Sequence, residues 1–468
     1  MASQPMSPKP TPPKGASATA WNTDMGRVLL GYVFFLFVGS LFGYVLAVAY
    51  INSQLQQPVG LFYPLLNAQS FAGALPEVFE TAVVILGVCA FAGLAVGVYL
   101  VSERLTIFGT PHWLTHQELR QGKFFNKPSL GFLVAKTSKP NRKAKFISSE
   151  KFPHCLVIAP TGRGKGTGFV IPNLLTTKGS AVVLDVKGEN FEKTARHRKS
   201  IGDKIIRFAP TDFKGSSHRY NPLLRIYALE NESEQMFELQ KLATLFLQSD
   251  NSANEGLLRG GMDAFVAGVL TAFERKKPTM GEAYRIINGG EGEFAESFRK
   301  YAAETGRQDV RLLWEGLAKI TEKTLSGYVS MLNTSGLAPW KNPHVDAVTS
   351  HTDIDFFDLR KSPHSVYFTI RTQDIESMAG LIRLFFSDLI ACLEHHEPTK
   401  NEPWPVMIVL DEFHKLGKMP IVAESITTLR SYGGRLAIIT QTIPKLDEIY
   451  GRNERLSLEG GAGLKIFM

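Results

Sequence analysis

The sequence is poor in cysteine, which excludes the small proteins that disulfides or zinc hold together. It has three cysteines in 468 residues, namely Cys89, Cys155 and Cys392. They lie far apart inside apolar runs, and no pair has the spacing of metal ligands or of a disulfide framework. A reducing compartment is therefore the default for the folded part of the chain.

Charged residues are missing from two long apolar runs near the amino end. Residues 28–51 and 81–101 contain no Asp, Glu, Lys or Arg. As a helix, the first run is about 36 Å long, which is enough to cross a bilayer. We therefore expect two transmembrane helices. A cleaved signal peptide ending near Ala49 is the alternative, but the apolar region is too long for one, and the second run would still anchor the protein.

Basic residues are also missing from the segment between the two runs. Residues 52–80 contain no Lys or Arg, whereas Lys9, Lys14 and Arg27 precede the first run and many basic residues follow the second. Because basic residues concentrate in cytoplasmic loops, both termini are predicted to be cytoplasmic. The segment between the two runs would then lie outside, and the chain would be a multi-pass membrane protein.

The amino end divides by composition into a tail and a membrane module. Residues 1–20 are rich in Pro, Ser, Thr and Ala and lack a large aliphatic run, so we expect a flexible cytoplasmic tail over residues 1–26. The membrane module covers residues 27–104. It contains two glycine pairs with four-residue spacing, which would pack the two spans together or join subunits; these pairs are Gly39 with Gly43 and Gly93 with Gly97.

Positive charge is concentrated just after the second run. Residues 104–204 contain 19 Lys and Arg against 6 Asp and Glu, a surplus larger than the net charge of +8 for the whole chain. Such a segment could face nucleic acid or anionic lipid. It could equally be a solvated surface that obeys the charge rule for cytoplasmic loops.

A glycine-rich loop follows the apolar run at residues 155–158. A phosphate-binding loop needs glycines that turn backbone N–H groups inward, a lysine for the β- and γ-phosphates and a hydroxyl for the metal. The residues that meet these needs are Gly162, Gly164, Lys165 and Thr167. Two positions depart from the general pattern, since Ala159 replaces the first glycine and Gly166 the hydroxyl. Taken alone, the loop predicts nucleotide binding, with a glycine-rich turn without ligand as the alternative.

Strand-like runs alternate with helical patterns along most of the remaining chain. The strands are expected at residues 155–158, 180–185, 204–208, 365–371, 406–410 and 435–440. This alternation predicts an α/β domain with a parallel sheet. The domain is expected in two parts, residues 105–225 and residues 341–468.

Between these two parts the strand signals vanish, and apolar residues recur three and four apart. We therefore predict an all-α inserted domain over residues 226–340. Within it, helices are expected at residues 261–275, 280–287, 293–305 and 310–332. The insertion shows no constellation of ligand-binding residues.

A second acidic element follows the buried run at residues 406–410. Asp411 and Glu412 end this run in the Walker B arrangement, in which the first acid serves a metal and the second orients or deprotonates water. Gln441 ends the next strand and could sense the γ-phosphate or merely cap the strand. Arg430 could serve a helix end or reach the nucleotide of a neighbouring subunit.

Taken together, these motifs resemble the type IV secretion coupling proteins of the TraG type. The resemblance is carried by the two apolar spans and by five motifs at residues 159–167, 185–189, 220–223, 410–413 and 440–441. It implies a RecA-like P-loop NTPase domain with an inserted all-α domain, preceded by two transmembrane helices. In that family the G-K-G-T ending of the loop is common, so Gly166 is an expected residue.

The resemblance also implies the role of each site residue. Those expected to bind the nucleotide are Thr161, Gly162, Arg163, Gly164, Lys165, Gly166 and Thr167. Thr167 and Asp411 would hold Mg²⁺, Glu412 would act on the water, and Gln441 would sense the γ-phosphate of ATP. Arg430 falls at the family's trans-acting arginine position. The catalytic set is thus Glu412, Lys165, Gln441 and Arg430.

The implied function is a membrane-anchored ATPase that couples substrates to a type IV secretion channel. Its expected partners are single-stranded DNA with an attached relaxase or effector proteins, the channel components, the membrane and five further copies in a homo-hexamer. The alternatives are an FtsK-type DNA translocase and a non-hydrolysing membrane receptor. The chain stops at Met468 in an apolar strand-like run, where the family continues, so truncation of the second part is expected.

Overall fold

The computed structural model describes residues 20–101, 114–125, 129, 131–138, 144–249, 254–290 and 292–468. The chain forms two compact units, Met1–Gly122 and Lys123–Met468. Most of the predicted flexible tail, residues 1–19, lies outside the described residues.

The described part of the first unit consists of helices. The two long ones, α1 (Ala20–Gln54) and α4 (Pro76–Val101), carry the predicted apolar runs and are long and apolar enough to cross a membrane. The short helices are α2 (Tyr63–Leu66), α3 (Ala68–Ala74) and α5 (His116–Gln121). Large apolar side chains such as Phe37 and Phe91 are exposed on the long helices, as expected of surfaces that face lipid.

Glycines let the backbones of α1 and α4 approach closely. A Cβ added at Gly39 would lie 2.9 Å from the Cα of Gly93, and one added at Gly43 would lie 2.7 Å from the Cβ of Cys89. Larger side chains at these positions would force the helices apart. Of the two uses predicted for the glycine pairs, the structure thus shows that they pack the two spans together.

The second unit is built on a seven-stranded parallel sheet. Its strands are β3 (Cys155–Ile158), β4 (Ser180–Val186), β5 (Lys204–Phe208), β6 (His364–Ile370), β7 (Val406–Leu410), β8 (Gly434–Thr440) and β9 (Leu464–Phe467). Their order is β5-β6-β4-β7-β8-β3-β9, and every pairing is parallel. A separate antiparallel pair consists of β1 (Phe132–Lys136) and β2 (Phe146–Ser149).

Helices cover both faces of this sheet, which explains why its strands read as continuous apolar runs. All seven residues of β4 are buried, and alternate residues belong to separate apolar clusters on the two faces. One face is covered by α6 (Ile171–Thr176) and α7 (Glu189–Ser200). The other carries α16 (Ala379–Glu394), α17 (Pro420–Ser425) and α18 (Ile443–Gly461).

Among the described residues between β5 and β6 there are eight α-helices, and we call them the helical region. They are α8 (Leu224–Tyr227), α9 (Glu232–Phe246), α10 (Glu255–Glu274), α11 (Met280–Asn288), α12 (Phe294–Glu304), α13 (Gln308–Ala318), α14 (Glu322–Leu332) and α15 (Pro343–Val348). Its described residues contain no strand. The predicted all-α character is confirmed, while the bounds 226 and 340 stay a prediction. Its core continues into one face of the sheet.

Two predicted helices differ from the structure. The stretch at residues 310–332 is not one helix, because α13 ends at Ala318 and Thr321, whose ψ of 144° is not helical, precedes α14. The sequence also predicts a helix over residues 420–432, with Arg430 near its end, but α17 ends at Ser425, and turns follow up to Gly433, whose φ is +80°. The spacing of apolar residues continues across both helix ends, so the sequence pattern did not indicate where these helices end.

Candidate active site

The loop after β3 has the backbone turns that a phosphate-binding loop needs. Gly162 and Gly164 have φ values of +79° and +78°, in the left-handed region that favours glycine. At Ala159, where the general pattern has its first glycine, φ is not positive, and the N–H donates to the carbonyl of Thr440 at 2.9 Å. An alanine therefore fits this position without strain.

The residues after the loop start a helix. Gly166–Val170 forms one π-helical turn that runs into α6. The exposed Thr167 hydroxyl donates to the carbonyl of Gly164 at 3.3 Å, so it lies against the loop. Thr161 and Arg163 are exposed on the loop surface. The predicted nucleotide contacts of residues 161–167 stay a prediction.

Lys165 lies between the two acids of the Walker B element. Its Nζ is 2.8 Å from the Oδ1 of Asp411 and contacts the Oε1 of Glu412. The three side chains are largely buried, with exposed fractions of 23%, 11% and 12%. They meet because β7, β8 and β3 are neighbours and parallel, so their carboxyl ends share one edge.

A left-handed residue brings both acids to the same lysine. In an extended strand, successive side chains point to opposite faces, so Asp411 and Glu412 would diverge. Glu412 instead has a φ of +53°, uncommon for a residue with a side chain, and the chain turns there off β7. The N–H of Lys415 then donates to the Glu412 carbonyl at 2.8 Å. Backbone strain of this kind is typical of functional sites.

Gln441 completes the contacts of Glu412. Its Nε2 donates to the Oε2 of Glu412 at 3.0 Å, and its Oε1 accepts from Lys445 at 3.4 Å. Glu412 is therefore held by a cation on one oxygen and an amide on the other. The structure brings the predicted residues Lys165, Asp411, Glu412 and Gln441 into one cluster.

The sequence reasoning missed His414, which packs against this cluster. Its Nε2 lies 3.5 Å from the Oε2 of Glu412, and its Nδ1 lies 3.4 Å from the hydroxyl of Thr440. The ring is buried, with 4% of the side chain exposed. Burial lowers the pKa of His414 to about 4, so the ring is neutral at physiological pH. The sequence shows that His414 follows Glu412 by two residues, but this spacing predicts a contact only if the chain turns tightly at Glu412.

The site also holds its charged groups in defined protonation states. Burial raises the pKa of Asp411, while the adjacent Lys165 opposes that rise. Burial acts in the same direction on Glu412, but Lys165 outweighs it, and the pKa of Glu412 lies below its ordinary value. Burial alone would lower the pKa of Lys165, yet the two carboxylates raise it. Glu412 is thus an ionised acceptor and Lys165 a cation at neutral pH.

Arg430 is not part of this cluster. It is exposed in the turn that precedes β8. Burial lowers the pKa of His154, which precedes β3, and the charge of Arg430 adds to that effect. Both positions are at the amino ends of strands, whereas Lys165 follows a carboxyl end. A seven-residue strand is about 23 Å long, so Arg430 does not reach the Lys165 cluster of its own chain.

Two of the motifs that carried the resemblance shape the fold rather than the site. Asp185, at the end of β4, accepts the N–H groups of Asn190 and Phe191 at 3.1 and 2.8 Å and thereby starts α7. The Tyr220 hydroxyl donates to Asp388 at 2.9 Å and links the start of the helical region to α16. Neither residue contacts Lys165 or Glu412.

Comparison of the chain with known proteins points to one family. The family model described as type IV secretory system conjugative DNA transfer matches residues 112–463. Protein VirD4 of Rhizobium rhizogenes is 36% identical over 362 residues, which are 77% of this chain and 54% of that protein. The conjugal transfer protein TraG of Escherichia coli is 28% identical over an alignment of 385 residues, which covers 74% of this chain and 58% of that protein. The chain spans about half the length of the curated relatives it matches.

A solved structure shares the fold of the second unit. The plasmid coupling protein TrwB, in complex with ADP and Mg²⁺, matches 75% of this chain and 76% of its own with a TM-score of 0.56. The sequence identity is 17%, so the likeness shows the fold alone. The predicted RecA-like P-loop fold is thereby confirmed.

Proposed function

Because the chain belongs to the type IV secretory system conjugative DNA-transfer family, we propose that it is a coupling ATPase that hydrolyses ATP to drive substrate transfer through a type IV secretion channel. The observation that carries the proposal is the cluster in which Lys165 meets Asp411 and Glu412 while Gln441 bonds Glu412. A phosphate-binding lysine, a metal-binding acid and a water-activating acid are the groups that NTP hydrolysis requires.

In this proposal, Lys165 exchanges partners when ATP binds. It leaves the two carboxylates and binds the β- and γ-phosphates, while the N–H groups of residues 161–167 surround the phosphates. Glu412 is then free of its cation and accepts a proton from the attacking water. Gln441 remains bonded to Glu412 and orients that water against the γ-phosphate.

The oxygen atoms of Thr167 and Asp411 fit a magnesium ion. Mg²⁺ prefers a few carboxylate and hydroxyl ligands together with phosphate oxygens and water. When bound, the ion neutralises charge on the β- and γ-phosphates. The binding of ADP and Mg²⁺ by the structurally similar TrwB supports this assignment.

Arg430 acts on the nucleotide of a neighbouring subunit. Its distance from the Lys165 cluster of its own chain and its exposure both fit a residue that works in trans. An arginine supplied in trans stabilises the charge of the transition state. This role requires a ring, and we assign the chain to a homo-hexamer.

The first unit anchors the ring in the bacterial inner membrane. Helices α1 and α4 cross the bilayer, and the lack of Lys and Arg in residues 52–80 puts the loop outside and both termini in the cytoplasm. We assign residues 105–225 and 341–468 to the two parts of the nucleotide-binding domain and residues 226–340 to the inserted all-α domain. The inserted domain selects the substrate, which is DNA with its relaxase or an effector protein.

The basic segment at residues 104–204 favours DNA among these substrates, because Lys and Arg bind phosphates regardless of sequence. The test uses the full chain in detergent micelles and measures ATP hydrolysis without DNA, with single-stranded DNA and with duplex DNA. We expect stimulation by single strands above that by duplex, and none in Lys165→Ala. Stronger stimulation by duplex would favour an FtsK-type translocase. Wild-type hydrolysis at background would favour a non-hydrolysing receptor.

A further inference from the structure

Arg383, on the second turn of α16, joins three separate segments of the second unit. Its side chain donates to the carbonyl of Phe246 through Nε at 3.0 Å and to that of Leu416 through Nη1 at 2.8 Å. Its Nη2 donates to the carbonyl of Ser335. The residue is 7% exposed. Three backbone segments that are distant in sequence are therefore oriented by one planar guanidinium.

One of these segments is the acidic turn, by which we mean residues 411–417. Leu416 donates its N–H to the Phe413 carbonyl at 3.1 Å, just as Lys415 donates to Glu412. The bond from Arg383 to Leu416 thus fixes the far end of the turn whose near end is the left-handed Glu412. A shift of Leu416 would move the carboxylate that faces Lys165.

The other two segments belong to the helical region. Phe246 ends α9, and its ring packs against Phe265 of α10. Ser335 lies in the turn that follows α14. Next to it, a Cβ added at Gly380 would overlap the carbonyl of Gly336, so the start of α16 is in close backbone contact with this turn. Arg383 is therefore bonded to the chain at the end of α9 and just after α14.

We propose that Arg383 is a positioning residue that couples the helical region to Glu412, so that substrate bound by the helical region sets the rate of hydrolysis. The inference rests on the proposed function. Lysine cannot replace arginine here, because an ammonium lacks the fixed fork that orients three carbonyls at once. A 1 Å misplacement of a catalytic group costs about 100-fold in rate.

The chain offers a matched control in Arg360. This arginine is 1% exposed, and its Nη1 donates to the carbonyls of Leu393, His396 and Tyr432 at 3.3, 2.9 and 3.1 Å. It precedes β6 and so lies at the amino edge of the sheet, away from the acidic turn. Arg360→Lys therefore also removes an arginine that binds three backbone carbonyls, but these carbonyls lie outside the acidic turn that contains Glu412.

The experiment compares Arg383→Lys with Arg360→Lys in the full-length protein. For Arg383→Lys we expect kcat to fall about 10- to 100-fold, the KM for ATP to stay within about twofold, and stimulation by single-stranded DNA to be lost. The ratio of stimulated to basal rate does not depend on the folded fraction, so instability alone leaves it unchanged. Arg360→Lys should keep the wild-type ratio. An unchanged ratio in Arg383→Lys overturns the inference.

Hydrogen exchange separates this inference from the proposed function. We expect the amides of residues 412–416 to exchange about tenfold faster in Arg383→Lys and at the wild-type rate in Arg360→Lys. If the wild-type protein hydrolyses no ATP, the proposed function has failed. The hydrogen exchange of residues 412–416 still shows whether Arg383 holds the acidic turn. Should Arg383→Lys not fold, Gly336→Ala tests it from the helical side, because its Cβ would lie 3.2 Å from the ring of Phe246. Equal exchange in all variants contradicts the coupling.

Discussion

The ammonium of Lys165 lies 2.8 Å from the Oδ1 of Asp411, and the same ammonium contacts Glu412. One cation therefore neutralises two carboxylates that follow a strand two places away in the sheet. This arrangement explains how two adjacent, largely buried carboxylates stay folded side by side. Lys165 also keeps the pKa of Glu412 below its ordinary value, although burial opposes this effect.

Replacing Lys165 with alanine should abolish tight ATP binding. A charge-assisted hydrogen bond is worth about 1.5–3 kcal/mol, so the Kd for ATP should rise about 10- to 100-fold. Isothermal titration calorimetry measures this directly. Lys178→Ala is the matched control, since Lys178 is exposed in the turn before β4. An equal Kd in the wild-type protein and Lys165→Ala would show that the loop does not bind the phosphates.

Gln441 should affect turnover rather than affinity. The expected effect of Gln441→Ala is a fall in kcat of about tenfold or more with a nearly unchanged KM, because the amide that orients Glu412 at 3.0 Å is lost. Steady-state hydrolysis over a range of ATP concentrations gives both constants. A higher KM with an unchanged kcat would instead assign Gln441 to nucleotide binding.

The assignment of Arg430 can be tested with mixed rings. Arg430→Ala subunits keep Lys165, and Lys165→Ala subunits keep Arg430. Where the two variants are neighbours in a ring, Lys165 of one subunit can therefore meet Arg430 of the other. If Arg430 acts in trans, mixing two inactive preparations should recover part of the hydrolysis, since an arginine finger contributes about 10³- to 10⁵-fold. No recovery in mixed rings, with each variant still able to form rings, would place Arg430 outside the catalytic set.

The buried His154 should make the protein sensitive to acid. Burial and the charge of Arg430 lower the pKa of His154 from 6.5 to about 4, while its Nδ1 accepts the N–H of Leu436 at 3.1 Å. Between pH 4 and 6.5, His154 is therefore neutral in the folded protein and protonated in the unfolded chain, so unfolding takes up a proton. The free energy of unfolding should therefore fall as the pH drops from 6.5 to 4, by about 3 kcal/mol in full.

This sensitivity is measured as the thermal midpoint at pH 7 and pH 4.5 in three proteins. His154→Asn keeps an acceptor for Leu436 but cannot be protonated, so it should lose less stability in acid than the wild-type protein. His351→Asn, at an exposed position, should behave like the wild-type protein. Equal acid shifts in His154→Asn and the wild-type protein would mean that His154 does not carry the effect.

The sequence pattern predicted the strands and the glycine turns, because these depend on residues close together in the chain. The buried run before Lys165 and the one before Asp411 read as strands because both faces of the sheet are covered. Parallel pairing then places the carboxyl ends of strands together, so the position of Lys165 at the same edge of the sheet as Asp411 followed from the motifs. The positive φ of Gly162 and Gly164 was equally foreseeable from residue type.

Contacts between distant segments were beyond the sequence. No pattern indicates that Glu412 adopts a φ of +53° or that His414 folds back onto it. The role of Arg383 depends on three backbone carbonyls, which carry no sequence signal. The apolar period continues from α13 into α14, although Thr321 between them is not helical. Periodicity describes one element at a time, whereas these features come from the packing of several.

The central claim is that Glu412 activates the water in a site where Lys165 binds ATP, and Glu412→Gln tests it most directly. Glutamine keeps the size of the side chain but cannot take a proton. Single-turnover hydrolysis and equilibrium binding of ATP are measured on Glu412→Gln, on Glu424→Gln as an exposed control and on the wild-type protein. The predicted result is hydrolysis at least about 100-fold slower in Glu412→Gln alone, with ATP binding retained in all three. Wild-type hydrolysis rates in Glu412→Gln would contradict the account.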